Sequence, residues 1–153
     1  MNFPILSSLI LLPVIGSLFL LFSKDKNSNT GKYVALFTSF VNFLISIYLW
    51  YQFDPTTSSF QFVEDREWLK GFINYKIGID GISILFVVLT SFITPLCIIS
   101  VNNSVKYRLR DFLIAILVME SLMIGVFCSL DLVIFYLFFE AGLIPMFLII
   151  GIW

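Results

Sequence analysis

Five long apolar runs, separated by short polar segments, dominate the pattern of this chain. A helix needs about 20 apolar residues to cross the hydrocarbon core of a membrane, and each run is close to that length. Continuous apolar runs favour helices over the alternating strands of a membrane barrel. The pattern predicts an all-α fold, a polytopic membrane bundle of about five transmembrane helices in a single membrane domain over residues 1–153. The predicted helices cover residues 3–22, 33–53, 82–101, 112–129 and 132–153.

The composition supports a membrane protein and excludes several kinds of site. Only 12% of the residues are charged and 59% are hydrophobic, whereas a soluble domain carries about 25% charged residues. The absence of histidine excludes imidazole metal sites and histidine acid–base catalysis. A net charge of -1 argues against a nucleic-acid partner. The low share of charged residues makes the lipid bilayer the expected surrounding. Cys97 and Cys128 both lie inside apolar runs, which predicts small buried side chains without a disulfide.

The positive charges predict the orientation of the helices. Six of the nine lysines and arginines fall in the segments after the first and third predicted helices, which lie on one side of the membrane. The positive-inside rule places those segments inside. It therefore places the N-terminus and the loop of residues 53–80 outside, and the end of the fifth helix inside. The six are Lys24, Lys26, Lys32, Lys106, Arg108 and Arg110, and the three in the outer loop are Arg66, Lys70 and Lys76.

Residues at helix ends and breaks have recognisable roles. Asp80 and Asp131 directly precede the third and fifth predicted helices, and each is expected to accept hydrogen bonds from the free N–H groups of the first turn. Pro13, Pro95 and Pro145 lie within apolar runs, where each removes a backbone hydrogen bond and bends the helix. Such a bend can line a polar cavity or be simply packed.

Two acidic residues are predicted to lie near the centre of the bilayer. Glu120 and Glu140 each lie ten residues from Leu130, in the turn between the fourth and fifth predicted helices. At 1.5 Å per residue both lie about 15 Å from the turn, near the middle of a core roughly 30 Å thick. One interpretation is a neutral glutamic acid that hydrogen-bonds a neighbouring helix. The favoured one is a proton relay, because acids inside the membrane often mark ion or proton paths.

The predicted helices contain no lysine or arginine that could face these acids. A relay that moves a cation toward or away from Glu140 therefore needs that cation from another part of the protein. The last apolar run also ends at Trp153 without charged anchors, which most transmembrane helices have. We expect the chain to be part of a longer protein.

A set of short motifs resembles a known family. Residues 77–83 read Ile-Gly-Ile-Asp-Gly-Ile-Ser, and Glu120 adds an acid to the fourth predicted helix. The fifth helix and its entry carry Leu130-Asp131-Leu132, Phe135-Tyr136-Leu137-Phe138-Phe139-Glu140, Leu143-Ile144-Pro145-Met146 and Ile150-Gly151-Ile152-Trp153. This combination resembles subunit M of bacterial NADH-quinone oxidoreductase and its mitochondrial counterpart, chain 4 of complex I. The resemblance covers the whole chain but only the first third or so of a family member.

The resemblance implies a proton-translocating membrane-arm subunit that couples electron transfer elsewhere in the complex to proton pumping. It implies no cofactor in this chain, with the NADH, flavin, iron–sulfur and quinone sites on other subunits, and other membrane-arm subunits as partners. In the family, the acid that matches Glu140 pairs with a lysine on a later helix, and Glu120 falls where the family has an acid on the fourth helix. Glu140 and Glu120 are therefore the expected proton-relay residues. The expected location is the bacterial inner membrane, or alternatively the mitochondrial inner membrane.

Two other functions stay open at this point. The chain could belong to a multisubunit sodium/proton antiporter, whose subunits are related, or be a truncated fragment without catalytic function. The context of Asp131 and Pro145-Met146 favours the oxidoreductase over the antiporter.

Overall fold

Five helices account for most of the chain in the computed structural model, which describes residues 4–22, 29–69, 73–101, 105 and 107–153. Each is long and apolar enough to cross a membrane, which confirms the predicted helical membrane bundle. Its single-domain organisation stays a prediction. The second and fourth helices begin a few residues earlier than predicted, and Phe3, the predicted start of the first, lies outside the described residues. The helices are α1 (Ile5–Phe22), α2 (Asn29–Gln52), α3 (Ser83–Ser100), α4 (Leu109–Cys128) and α5 (Leu132–Ile152).

Two apolar clusters fill the two ends of the bundle. We call them the hairpin-side cluster and the loop-side cluster. In α1 to α4 the same order recurs along each helix, with one cluster at either end and polar side chains between them. The hairpin-side cluster contains Leu6, Leu9, Ile10, Leu49, Ile77, Ile79, Ile84, Val87, Ile124 and Cys128, and the loop-side cluster contains Leu20, Ala35, Ile98, Leu113 and Leu117.

A β-hairpin lies between α2 and α3, where the sequence was interpreted only as a loop. Its strands are β1 (Gln61–Leu69) and β2 (Ile73–Ile79), which pair antiparallel. Along β2, apolar side chains alternate with other residues, and Ile77 and Ile79 are fully buried in the hairpin-side cluster. The backbone N–H of Leu130 donates to the carbonyl of Lys76 at 3.0 Å. The hairpin therefore covers the end of the bundle where α1 begins and α4 turns into α5.

Both predicted helix caps are confirmed. The Asp131 carboxylate accepts hydrogen bonds from the backbone N–H groups of Val133 at 2.8 Å and Ile134 at 3.3 Å. The Asp80 carboxylate accepts from the backbone N–H groups of Ser83 at 2.7 Å and Ile82 at 3.2 Å. The backbone and side-chain hydrogen bonds from Ser83 hold the pKa of Asp80 below its usual range. These two carboxylates fix where α3 and α5 start.

The three prolines lie inside helices, as predicted. Pro13 is in α1, Pro95 in α3 and Pro145 in α5. All three side chains are buried, so each proline is packed against neighbouring side chains.

The prediction for the cysteines is wrong at one of the two positions. Both thiols are free, and Cys128 is buried in the hairpin-side cluster, but Cys97 is exposed on the outer surface of α3. An apolar run in a membrane helix contains outward-facing positions as well as buried ones, so the run alone does not imply burial.

The predicted orientation across the membrane depends on charges that the structure describes only in part. Lys24, Lys26, Lys70 and Lys106 lie outside the described residues. The hairpin, the start of α1 and the turn from α4 to α5 share one end of the bundle, which the charge distribution predicts to face outward. The orientation therefore stays a prediction.

Candidate functional site

Glu120 lies in the interior of the bundle. Its side chain is only 2% exposed and projects from α4 toward α2. There the side-chain amide Nδ2 of the fully buried Asn42 donates to Glu120 Oε1 at 2.9 Å. Among the buried side chains of the described residues, Glu120 is the one ionisable carboxyl group. Placing a carboxyl group at this depth is costly, and the amide offsets part of that cost.

The buried polar side chains of the described residues form one layer, which we call the polar layer. It lies between the hairpin-side and loop-side clusters and includes residues from α1, α2, α3 and α4. Its members are Ser17, Ser39, Asn42, Ser46, Ser91, Thr94, Glu120 and Ser121.

Hydrogen bonds join helices across this layer. The hydroxyls of Ser46 and Ser91 lie 2.7 Å apart and connect α2 to α3. The hydroxyl of Ser121 donates to the Ile10 carbonyl at 2.6 Å and connects α4 to α1. With the Asn42–Glu120 contact, the four helices are held together around the acid. The layer was not predicted from the sequence, although the spacing of residues 39, 42 and 46 places them on one face of α2 and could have indicated it.

Two atoms at the centre of the layer have no hydrogen-bond partner among the residues that the structure describes. They are Asn42 Oδ1 and Glu120 Oε2, both buried. Buried polar atoms are rarely left unpaired. Asn42 and Glu120 are therefore the side chains of the interior whose hydrogen bonding is incomplete.

Glu140 has a different environment. Its side chain is exposed on α5, where Ile134 and Pro145 are the buried residues of that helix. Tyr136 lies one turn earlier on the same face of α5. The structure therefore does not bring the two predicted relay residues together, because Glu120 faces the interior and Glu140 faces the surroundings of the bundle.

A cavity of about 800 Å³ opens between α1, α4, α5 and the hairpin. Its wall is apolar along the helices, and its polar lining includes Arg66 and Tyr75 from the paired strands and Ser7 from α1. Burial raises the pKa of the Tyr75 hydroxyl, which lies 3.4 Å from the Ser7 hydroxyl. Neither glutamate lines this cavity, but Ser121, which follows Glu120 in α4 and belongs to the polar layer, does.

Comparison with known proteins identifies the relatives of the chain. No protein-family model matches it. It is 50% identical to NADH-ubiquinone oxidoreductase chain 4 of Marchantia polymorpha over 149 residues, which is 97% of this chain and 30% of the relative. Identity to NADH-quinone oxidoreductase subunit M of Rhodobacter capsulatus is 59% over 129 residues, 84% of the chain and 24% of the relative. Identity to subunit M of Rickettsia prowazekii is 44% over 157 aligned positions, all of the chain and 32% of the relative.

These relatives include bacterial and mitochondrial proteins. Together with the five apolar helices, they indicate a multi-pass protein of the inner membrane. The chain spans only about a third, or less, of the length of each of these relatives. Over that part, the chain is homologous to the family of NADH-quinone oxidoreductase subunit M and NADH-ubiquinone oxidoreductase chain 4.

Proposed function

We propose that this chain contributes to a proton-translocating membrane-arm subunit of NADH:quinone oxidoreductase. The observation that carries the proposal is the buried Glu120 in the polar layer of a chain homologous to subunit M. A carboxyl group that stays in the membrane interior at a cost of about 3 kcal/mol, by insertion scales, is expected to have a function there. Transfer of a proton is the chemistry that such a group offers.

The two acids have different roles in this proposal. Glu120 is enclosed by α1 to α4 and holds a proton inside the bundle. Glu140 is exposed on α5, where a side chain from another helix can approach it. A cation that came close would favour the ionised carboxylate, and its withdrawal would favour the neutral acid. Movement of charge next to Glu140 would then drive uptake and release of its proton.

The oxidoreductase assignment is preferred over the antiporter because the relatives named above are oxidoreductase subunits. In this proposal, electron transfer takes place in other subunits, and those subunits carry the NADH, flavin, iron–sulfur and quinone sites. The other membrane-arm subunits are the partners, and they link that electron transfer to the acids of this chain.

The proposal is tested with the complete enzyme that contains this chain, in sealed vesicles. NADH-driven proton uptake is measured with a pH dye for the unmodified enzyme and for Glu140→Gln, which keeps the size of the side chain and removes the ionisable group. Uptake is expected to collapse in the variant. Asp65→Asn, at a half-exposed carboxylate of the hairpin, is the control and should pump normally. Full pumping by Glu140→Gln would refute the relay role.

A further inference from the structure

The hydrogen-bond donors of the polar layer are already committed to other acceptors. The Ser121 hydroxyl donates to the Ile10 carbonyl. The hydroxyls of Ser17, Ser39 and Thr94 donate to carbonyls of their own helices. Of Ser46 and Ser91, one hydroxyl donates to the other and the second donates to a carbonyl of its own helix. This leaves the Asn42 amide as the donor that reaches Glu120, through the one bond from Nδ2 to Oε1.

The two unpaired atoms are both oxygens. Asn42 Oδ1 accepts hydrogen bonds and never donates, and Glu120 Oε2 donates only when it carries a proton. With an ionised carboxylate, both oxygens would stay buried without a donor. With a neutral acid, the Oε2–H group can donate to Oδ1 after rotation about the terminal torsions, which are soft. A single proton therefore satisfies both atoms.

We propose that Asn42 is a positioning residue that holds Glu120 as a neutral acid, in a pair with two hydrogen bonds that joins α2 to α4. This inference deepens the proposed function and rests on it. In the pair, Nδ2–H donates to Oε1 and the acid O–H donates to Oδ1. Loss of the proton breaks the second bond and leaves two acceptors that only an incoming water can satisfy.

The surroundings determine when that water can arrive. The hairpin-side cluster closes the polar layer at one end and the loop-side cluster closes it at the other. Both clusters are apolar and offer no hydrogen bonds to a water. Release of the Glu120 proton therefore requires water to pass one of the clusters, or to pass Ser121, which lines the cavity between α1, α4, α5 and the hairpin. In the arrangement seen here, Glu120 is buried and does not line that cavity.

Infrared spectroscopy of the full chain in lipid nanodiscs tests the pair at neutral pH. A protonated carboxyl group gives a carbonyl stretching band separate from those of carboxylates and amides. We expect such a band in the unmodified chain, its loss in Glu120→Gln and its persistence in Glu140→Gln. Asn42→Leu introduces a side chain of similar shape without an amide. In this variant the band should move to higher wavenumber, because the acid carbonyl of Glu120 loses the hydrogen bond from Asn42 Nδ2.

Ser46→Ala is the matched control, one turn along the same face of α2, and should leave the band in place. If circular dichroism shows that Asn42→Leu does not fold, Glu120→Asp gives the same test, because the shorter side chain places the carboxyl group farther from Asn42. The proposal is overturned if the unmodified chain has no band that Glu120→Gln removes. It is also overturned if the band is unmoved in the folded Asn42 or Asp variant. The two tests are distinguishable. Normal pumping by Glu140→Gln in the complete enzyme would refute the proposed function, whereas the infrared band of Glu120 is expected to be the same with or without that substitution.

Discussion

Glu64 of the hairpin caps the first transmembrane helix, since its carboxylate accepts a hydrogen bond from the backbone N–H of Leu6 at 3.0 Å. The same carboxylate accepts from the backbone N–H of Ser7 at 3.3 Å and from the Ser7 hydroxyl. The first N–H groups of a helix have no partner within it, and a negative charge there is favourable. The hairpin therefore supplies a cap that lies more than fifty residues away along the chain.

Removal of this cap should destabilise the bundle. We expect Glu64→Ala to lower the free energy of unfolding by about 1–2 kcal/mol, the usual effect of losing a helix cap. The unfolding curve in detergent micelles, followed by circular dichroism, measures the loss. Asp65→Ala is the control, because its ion pair with Lys76 at 3.6 Å is about half exposed and is expected to contribute less than about 1 kcal/mol. Equal stability of the two variants would contradict the capping role.

A second prediction concerns the contact between α4 and α5. A Cβ atom added at Gly125 would lie 2.7–2.8 Å from the ring of Phe138, whereas one at Gly142 would meet nothing within 4 Å. Gly125→Ala should therefore cost about 1–3 kcal/mol, typical of overpacking. Gly142→Ala should be neutral or slightly stabilising in the isolated chain, because alanine favours a helix. Unfolding curves of the two variants provide the comparison. Unchanged stability of Gly125→Ala would show that Phe138 moves aside freely.

The cap at Asp80 predicts a dependence of stability on pH. Hydrogen bonds from Ser83 lower the pKa of the folded carboxyl group, so the folded state favours the ionised form. The stabilisation is fully present above the usual aspartate pKa of about 3.9 and is lost as the pH falls through the lower value of the folded state. Between pH 6 and pH 3 the unmodified chain should lose more stability than Asp80→Asn. Parallel pH profiles of the two proteins would contradict this assignment.

The sequence could predict the helices, the caps and the placement of both acids within α4 and α5, because these follow from runs of apolar residues and from counting along the chain. It could not predict which way each acid faces, since that depends on how a helix is rotated against its neighbours. Glu120 turned out to face Asn42, and Glu140 is exposed. The hairpin was not predicted because its strands contain no long apolar run, although apolar residues alternate with others over residues 73–79.

The orientation in the membrane is tested by cysteine labelling. The charge distribution predicts that the loop of residues 53–80 faces outward. In a background without the native cysteines, a cysteine at Ser59 should react with an impermeant maleimide added to intact cells. A cysteine at Ser104, which lies outside the described residues, should react only after the cells are opened. The opposite pattern would reverse the orientation.

The number of protons translocated per NADH oxidised tests the central claim most directly. It is measured for the complete enzyme in sealed vesicles, for the unmodified protein and for Glu120→Gln and Glu140→Gln separately. We expect Glu140→Gln to abolish most of the translocation, because Glu140 is exposed where charge can approach it. Glu120→Gln should cause a milder loss, because the interior acid is already hydrogen-bonded to Asn42. An unchanged ratio in both variants would contradict the claim that these acids carry protons.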